Sequence, residues 1–231
     1  VRLLATSEGT GIKVEGTGKK ITIDLGGYGY TVTSPLVGSA GTQTNGLQLL
    51  KGNEVTIQNG ALYFPKEAKM GIKNYCDLTI ENVEIHAEGG LVAVANCGQL
   101  TISGSKTKIT TDGKWAVTTG NYTKGDQITT NIHGGEIDSV ACETPLWSIG
   151  DATVDESVTT AIYGGTIGTL GVYDWRPDYG DEYKDEPLLV NWKMYVKGGV
   201  IGDLAFDESA AGKIFISGGT FSADPSDYVT D

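Results

Sequence analysis

Two histidines, His86 and His133, are the first candidates for acid–base chemistry, because imidazole is the side chain that titrates near neutral pH without help. Neither has a cysteine or second histidine at zinc-ligand spacing. Each therefore reads as a solvated side chain on an outer strand. Carboxylates are denser. Asp174, Asp178, Asp181, Glu182, Asp185 and Glu186 crowd one short stretch. Calcium needs six to eight oxygens converging on one point, whereas alternating charges on a loop ordinarily stay solvated. No metal site and no cofactor are expected. The glycine-rich segments lack the Lys and Ser or Thr of a phosphate loop. They read as corners of the chain.

The acidic stretch is also the most aromatic one. Residues 173–192 hold Tyr173, Trp175, Tyr179, Tyr183 and Trp192, with Arg176 among them. Rings beside carboxylates suit a sugar, which stacks on one and donates hydroxyls to the other. They equally suit a protein contact, where Tyr, Trp and Arg are enriched, or a loop folded back as a flank cover. Loops on a rigid scaffold are where function concentrates. The candidate binding residues are Tyr173, Trp175, Arg176, Asp178, Tyr179 and Tyr183. No catalytic residue is assigned.

These groups must be positioned by a repeat. A phrase of an aliphatic anchor, preceded two residues earlier by a second aliphatic or in two cases by Thr, recurs eight times, from Ile21-Thr22-Ile23 through Val55-Thr56-Ile57, Leu78-Thr79-Ile80 and Leu100-Thr101-Ile102. It continues as Thr130-Asn131-Ile132, Thr160-Ala161-Ile162, Met194-Tyr195-Val196 and Ile214-Phe215-Ile216. The steps between central aliphatics are 34, 23, 22, 30, 30, 34 and 20 residues. A period of this size signals a solenoid or array. The alternation of aliphatic and polar residues belongs to a half-buried strand. Gly pairs follow the last four anchors and should turn the chain. Five residues past the anchors the apolar residues return as Tyr28, Leu62, Ile85, Ile137, Ile167, Ile201 and Phe221. Thr107 breaks this series and Ile109 follows two residues later, so one coil is offset.

One such coil cannot bury enough to stand alone. Stacking lets each coil hydrogen-bond to its neighbours and share an aliphatic column. The expectation is an all-β fold, a single-stranded right-handed parallel β-helix of about eight coils, with the hand taken from the chirality of parallel crossovers. One domain spans 1–231, with 1–17 as an N-terminal cover, 18–221 as coils and 222–231 as a C-terminal cover whose Tyr228 folds over the last coil. Residues 34–46 read as a plain loop. Trp115 and Trp147 pad the flanks. Leucine-rich repeat spacing is missing, and a propeller needs more strands per unit than intervals of 20–23 residues allow.

Composition narrows the partners. Seventeen Lys and Arg oppose 29 Asp and Glu, a net charge of −12. Such a surface repels nucleic acid and anionic lipid. Arg2 and Arg176 are the only arginines, so bidentate clamps are scarce. No stretch approaches the roughly 20 apolar residues of a membrane-spanning helix, and no signal peptide is visible. Cys76 and Cys97 precede successive anchors by four and five residues. They are either two buried thiols or a disulfide between adjacent coils. Cys142 has no evident partner.

The opening Ile21-Thr22-Ile23-Asp24-Leu25-Gly26-Gly27, the closing Ile216-Ser217-Gly218-Gly219-Thr220-Phe221 and the tail Asp224-Pro225-Ser226-Asp227-Tyr228-Val229 resemble β-helix repeat proteins of gut bacteria and their tailed phages. Residues 26–50 are similar to the same group. The resemblance implies an extracellular protein displayed on a virion or bacterial surface, such as a head fibre or decoration. It would be non-enzymatic, with a protein partner on the particle and possible assembly as a trimer. The alternative is a carbohydrate-binding or polysaccharide-cleaving module on a bacterial surface. Cleavage of acidic polysaccharides needs basic groups and carboxylates together. Here Asp24, Glu81, His133 and Lys197 lie on separated coils, and no Asp-Asp pair occurs.

Overall fold

The computed structural model describes residues 1–123, 125–144, 157–174, 176–178, 185 and 190–228. Among them the chain is all-β, with strands joined in one long, almost wholly parallel sheet and no α-helix. Among the described residues no helix is long and apolar enough to cross a membrane. The architecture is solenoid-like. Successive passes of the chain lie on one another and present three faces.

The first face carries the anchors. It comprises Lys20–Asp24, the start of Glu54–Phe64 and of Asp77–Ala87, then Gln99–Ser103, Ile128–Ile132, Val158–Ile162, Trp192–Val196 and Ile214–Ile216. Ile23, Ile57, Ile80, Ile102, Ile132, Ile162, Val196 and Ile216 are successive register partners, each opposite the next. All from Ile57 to Val196 are fully buried. The end members Ile23 and Ile216 are partly buried, as expected where the stack has no further neighbour.

The second face stacks Tyr30, Leu62, Ile85, Ile109, Ile137, Ile167, Ile201 and Phe221. Ile109 restores the offset coil. Tyr28 does not hold the first position expected of it. Tyr30 does, because the corner after Ile23 carries two more residues than most, as does the corner after Ile102. Tyr28 is left 41% exposed. The last four corners use the second Gly of each pair. Gly165 has φ +94°, and a Cβ there would stand 2.7 Å from the carbonyl oxygen of Gly135 in the coil below. In earlier coils Asn59 and Asn82 turn the chain instead, at φ 59° and 53°. Asn tolerates this left-handed conformation better than most residues.

A third face was not anticipated from the repeat. What read as a variable excursion carries a third inward column, on strands of its own (Thr42–Leu49, Met70–Asn74, Val92–Asn96, Trp115–Thr119) or on the continuation of the second-face strand (Glu136–Thr144, Thr166–Asp174). Ile12, Leu47, Ile72, Val94, Val117, Val140, Leu170 and Leu204 form this column in unbroken register. Residues 34–46, expected as a plain loop, contain Val37–Ser39, which pairs antiparallel with Thr42–Leu49 before that strand enters the third face. Residues 1–17 join the stack as well. Ser7–Thr10 pairs with Gly29–Thr33, Ile12–Val14 pairs with Thr42–Leu49, and Arg2 bridges to Asp24. At that end an apolar cavity of about 370 Å³ is lined by Leu3, Ile12, Ile21, Ile23 and Tyr30 among others. At the far end Tyr228 packs on Phe206, ring centroids 5.2 Å apart.

The core also holds a polar ladder. The Asn74 amide donates to Asn96 Oδ1 at 2.9 Å, and the Asn96 amide donates to Thr130 Oγ1 at 2.9 Å. Thr130 meets Thr119 at 2.7 Å, and Thr160 donates to Thr119 at 3.1 Å. All five are fully buried. The ladder explains why the inward series before the anchors changes from aliphatic to Thr at Thr130 and Thr160. Asn96 Oδ1 also accepts the backbone N–H of Gly98 at 3.0 Å, which pins the turn into the next strand. A buried polar group is tolerable only when its hydrogen bonds are made.

Ile80→Ala should cost about 2–5 kcal/mol in urea unfolding, whereas the outward neighbour change Thr79→Ala should stay within about 0.5 kcal/mol. Asn96→Ala removes a hub of the ladder and strands Asn74 and Gly98. A loss of about 1–3 kcal/mol is expected in the same measurement, more than for Thr119→Ala, which removes one hydroxyl.

Candidate functional site

The aromatic and acidic stretch was the sequence's foremost candidate. Tyr173 ends the strand Thr166–Asp174. Its ring is buried, 4% exposed, in a flank cluster with Val92, Ala95 and Ala141, with Trp115 packed beside it. Its hydroxyl donates to Asp178 Oδ2 at 2.7 Å, and Asp178 is ion-paired with Lys114. The Arg176 guanidinium closes on Asp174, Nε to Oδ1 at 3.0 Å and Nη2 to Oδ2 at 2.8 Å. Burial opposes the charge of Asp174. The side-chain and backbone hydrogen bonds from Arg176 outweigh it and hold the carboxyl below its usual range. Tyr173, Arg176 and Asp178 are thus brought together, but their polar groups fasten the start of the insertion to the scaffold. Trp175, Tyr179 and Tyr183 lie outside the described residues, as do Asp181, Glu182, Glu186 and Trp147.

A second cluster lies on the outer side of the third face. The Lys73 ammonium is 5.7 Å from the ring centroid of Tyr75 and 5.3 Å from that of Tyr122. Glu143, 2% exposed, accepts from Thr118 Oγ1 at 2.5 Å and from the Tyr122 hydroxyl. Burial works against the charge on Lys73, yet Cys97, Glu143 and Tyr75 together raise its pKa above the usual lysine range. Burial pushes the Cys97 thiol up, and the neighbouring Lys73 charge offsets only part of that rise. The cluster is a polar clasp between coils, buried at Glu143 and exposed at Tyr122.

Register also answers the question of a disulfide. Asn74 lies opposite Asn96, so Cys97 stacks on Tyr75, while Cys76 stacks on Gly98. The one-residue offset sends the two thiols to opposite sides of the strand. Cys76, Cys97 and Cys142 are all free and buried. Burial raises Cys76 and Cys142 to about 12.

The outward side of the first face carries the arrangement that sequence reasoning treated as dispersed. Two outward columns flank the anchors there, one immediately before and one immediately after them. One column runs His133, Tyr163, Lys197, and the other runs Asn131, Ala161, Tyr195, Phe215. His133 is stacked on Tyr163, with centroids 4.7 Å apart and planes 9° apart. Tyr195 is stacked on Phe215 at 5.1 Å. The Lys197 ammonium lies 4.9 Å from the Tyr163 centroid and 5.7 Å from that of Tyr195. Lys193 lies 5.7 Å from the Phe215 centroid. Over the first coils the same face is different. It shows Thr22, Thr56, Thr79 and Thr101 in one column and Asp24, Gln58, Glu81 and Ser103 in the next. Writing the anchors one under another would have exposed this contrast. Reading along the chain separates His133 from Tyr163 by thirty residues.

Two other features are less developed. His86 Nδ1 is 2.9 Å from Thr110 Oγ1, with Asp112 3.8 Å from Nε2. A cleft of about 240 Å³ between the third and first faces is lined by Lys51, Tyr75, Asp77, Gln99, Asp126 and Gln127. Lys51 and Asp126 pair across it at 2.5 Å.

No family model, curated protein or solved structure matches the chain.

Among the described residues no three His, Cys, Asp or Glu side chains converge to hold a metal ion. The buried thiols have pKa values far above neutrality, so they lack the thiolate that nucleophilic chemistry requires. What the first face offers is a row of lysines held against rings, with His133 stacked on Tyr163 beside them.

The thiols make a direct check. At pH 8 the native chain should react with a thiol reagent such as dithionitrobenzoate at least about a hundredfold more slowly than the denatured chain. All three thiols should titrate after denaturation. Two missing thiols under non-reducing conditions would instead reveal a disulfide.

Proposed function

We propose that the chain is a non-enzymatic structural and display protein, a right-handed parallel β-helix of about eight coils serving as a decoration or fibre domain of a phage virion or bacterial surface. The observation that carries this reading is the unbroken register of the anchor column from Ile23 to Ile216. A stack in which every coil is hydrogen-bonded to the next is stiff along its axis, and its outward side chains repeat at the strand spacing of about 4.8 Å. That is the property a spacer or display element needs. The hand follows from the near-universal chirality of parallel crossovers. An extracellular location, a protein partner on the particle and assembly as a trimer belong to the same proposal.

The test is placement on a particle. Antibodies raised against the chain should decorate intact virions or producing cells in immunogold microscopy. Label confined to the contents of lysed cells would overturn the display role. Incubation with acidic and neutral polysaccharides should release no reducing ends. Their release, abolished by a single substitution in the chain, would replace the proposal with an enzyme.

A further inference from the structure

The outward side of the first face changes character along the stack, and the change has a chemical direction. Its first rungs are threonines and carboxylates. Its last rungs are rings and lysines. This is notable in a chain whose acidic residues outnumber its basic ones by 29 to 17. Several surface lysines are neutralised by carboxylates, Lys13 by Glu15, Lys20 by Glu54, Lys51 by Asp126 and Lys108 by Glu136, while others such as Lys106 stand in solvent away from any ring. Lys197 differs. Among the described residues no carboxylate stands within ion-pairing distance of it. Its ammonium rests instead against Tyr163 and Tyr195 on neighbouring coils.

We infer that this ring-and-lysine stripe over the last coils of the first face is a binding site for an acidic polysaccharide laid along the solenoid axis. Lys197 meets its carboxylates or sulfates. The Tyr163 hydroxyl and the His133 edge meet its hydroxyls. The inference goes beyond a display role and does not depend on which particle carries the chain.

Three physical points support that occupant. The first is pre-organisation. A free lysine loses rotamer entropy of up to about 2 kcal/mol when it is held by a ligand. Lys197 is already held by two rings and Lys193 by one, through the attraction of a cation for a π face. An anion that binds there meets ammonium groups already in place. The second point is geometry. His133 and Tyr163 are stacked in parallel, and so are Tyr195 and Phe215. Their faces are occupied by one another and by the lysines, so their edges and polar atoms point outward. The stripe therefore suits a ligand read through oxyanions and hydroxyls, and Thr129, Asn131 and Thr159 beside it add further hydrogen-bonding groups. The third point is charge. A net charge of −12 opposes any polyanion that spreads over the whole surface, such as duplex nucleic acid or a membrane. A single glycan chain confined to the stripe meets the local cations and avoids the acidic first coils. Lysines suffice as point charges for separated carboxylates or sulfates, and no arginine fork stands in the stripe.

The experiment uses the intact chain with polygalacturonate and chondroitin sulfate as acidic probes and dextran as the neutral one, read by isothermal titration calorimetry at low salt. At least one acidic glycan should bind, dextran should not, and affinity should fall steeply with added salt. The variant Lys197→Gln should bind at least about tenfold more weakly, while Lys106→Gln, an exposed lysine off the stripe, should bind as the parent does. Hydrogen exchange gives a readout independent of the variants' folding, with the bound glycan slowing exchange at residues 193–197 and 213–217. Absence of binding to either acidic glycan would overturn the inference. So would unchanged affinity in Lys197→Gln, equal affinity for an unrelated polyanion such as single-stranded DNA or phosphatidylserine vesicles, or self-association that buries the stripe against a second copy.

Discussion

The structure depends on one constraint: every coil must place its aliphatic side chains on those of the coil beneath while its backbone hydrogen-bonds to the same neighbour. These two demands are met together or not at all. A slip of one residue would turn Ile80 outward and Thr79 inward, and would repeat the error through every later rung. The corners serve this constraint. Gly165 and Asn82 turn the chain within the few residues available, and the tight packing of Gly165 on the Gly135 carbonyl leaves no room for a side chain. Where a corner is two residues longer, after Ile23 and after Ile102, the second face still regains register, at Tyr30 and Ile109.

The interior is not uniformly apolar, and the polar ladder shows why it need not be. Asn74, Asn96, Thr119, Thr130 and Thr160 satisfy one another across successive coils. An amide or hydroxyl in one coil fits only the coil whose partner group faces it. The ladder therefore favours one stacking order among coils that otherwise present similar aliphatic columns. The Lys73 cluster does the same work on the outer side of the third face, where a cation, two rings and a buried carboxylate join separate coils. Both are costly arrangements if half-made, and both are fully contacted here.

The same stacking that builds the core also builds the surface. Residues thirty or more positions apart become neighbours at the strand spacing, so an outward column can act as a continuous strip. The first face turns this to two uses: carboxylates and hydroxyls at one end, held lysines and stacked rings at the other. The stretch that drew attention as a binding loop behaves differently in its described part, where Tyr173, Arg176 and Asp178 direct their polar groups to one another and to the scaffold.

The sequence alone determined the anchors, because an aliphatic repeated with strand alternation has only one way to become dry, and it marked four of the corners with Gly pairs, because few other residues adopt that backbone. It did not reveal the third face, whose short runs such as Val92–Asn96 are apolar on both sides and so show no alternation to read. It also left the relation of Cys76 to Cys97 open, since spacing from the anchors differs by a single residue and only pairing register shows that this residue reverses the side chain. The meeting of His133, Tyr163 and Lys197 was likewise decided by the tertiary structure. Side chains on three coils become one surface only when the coils are stacked, and local sequence carries no term for that distance.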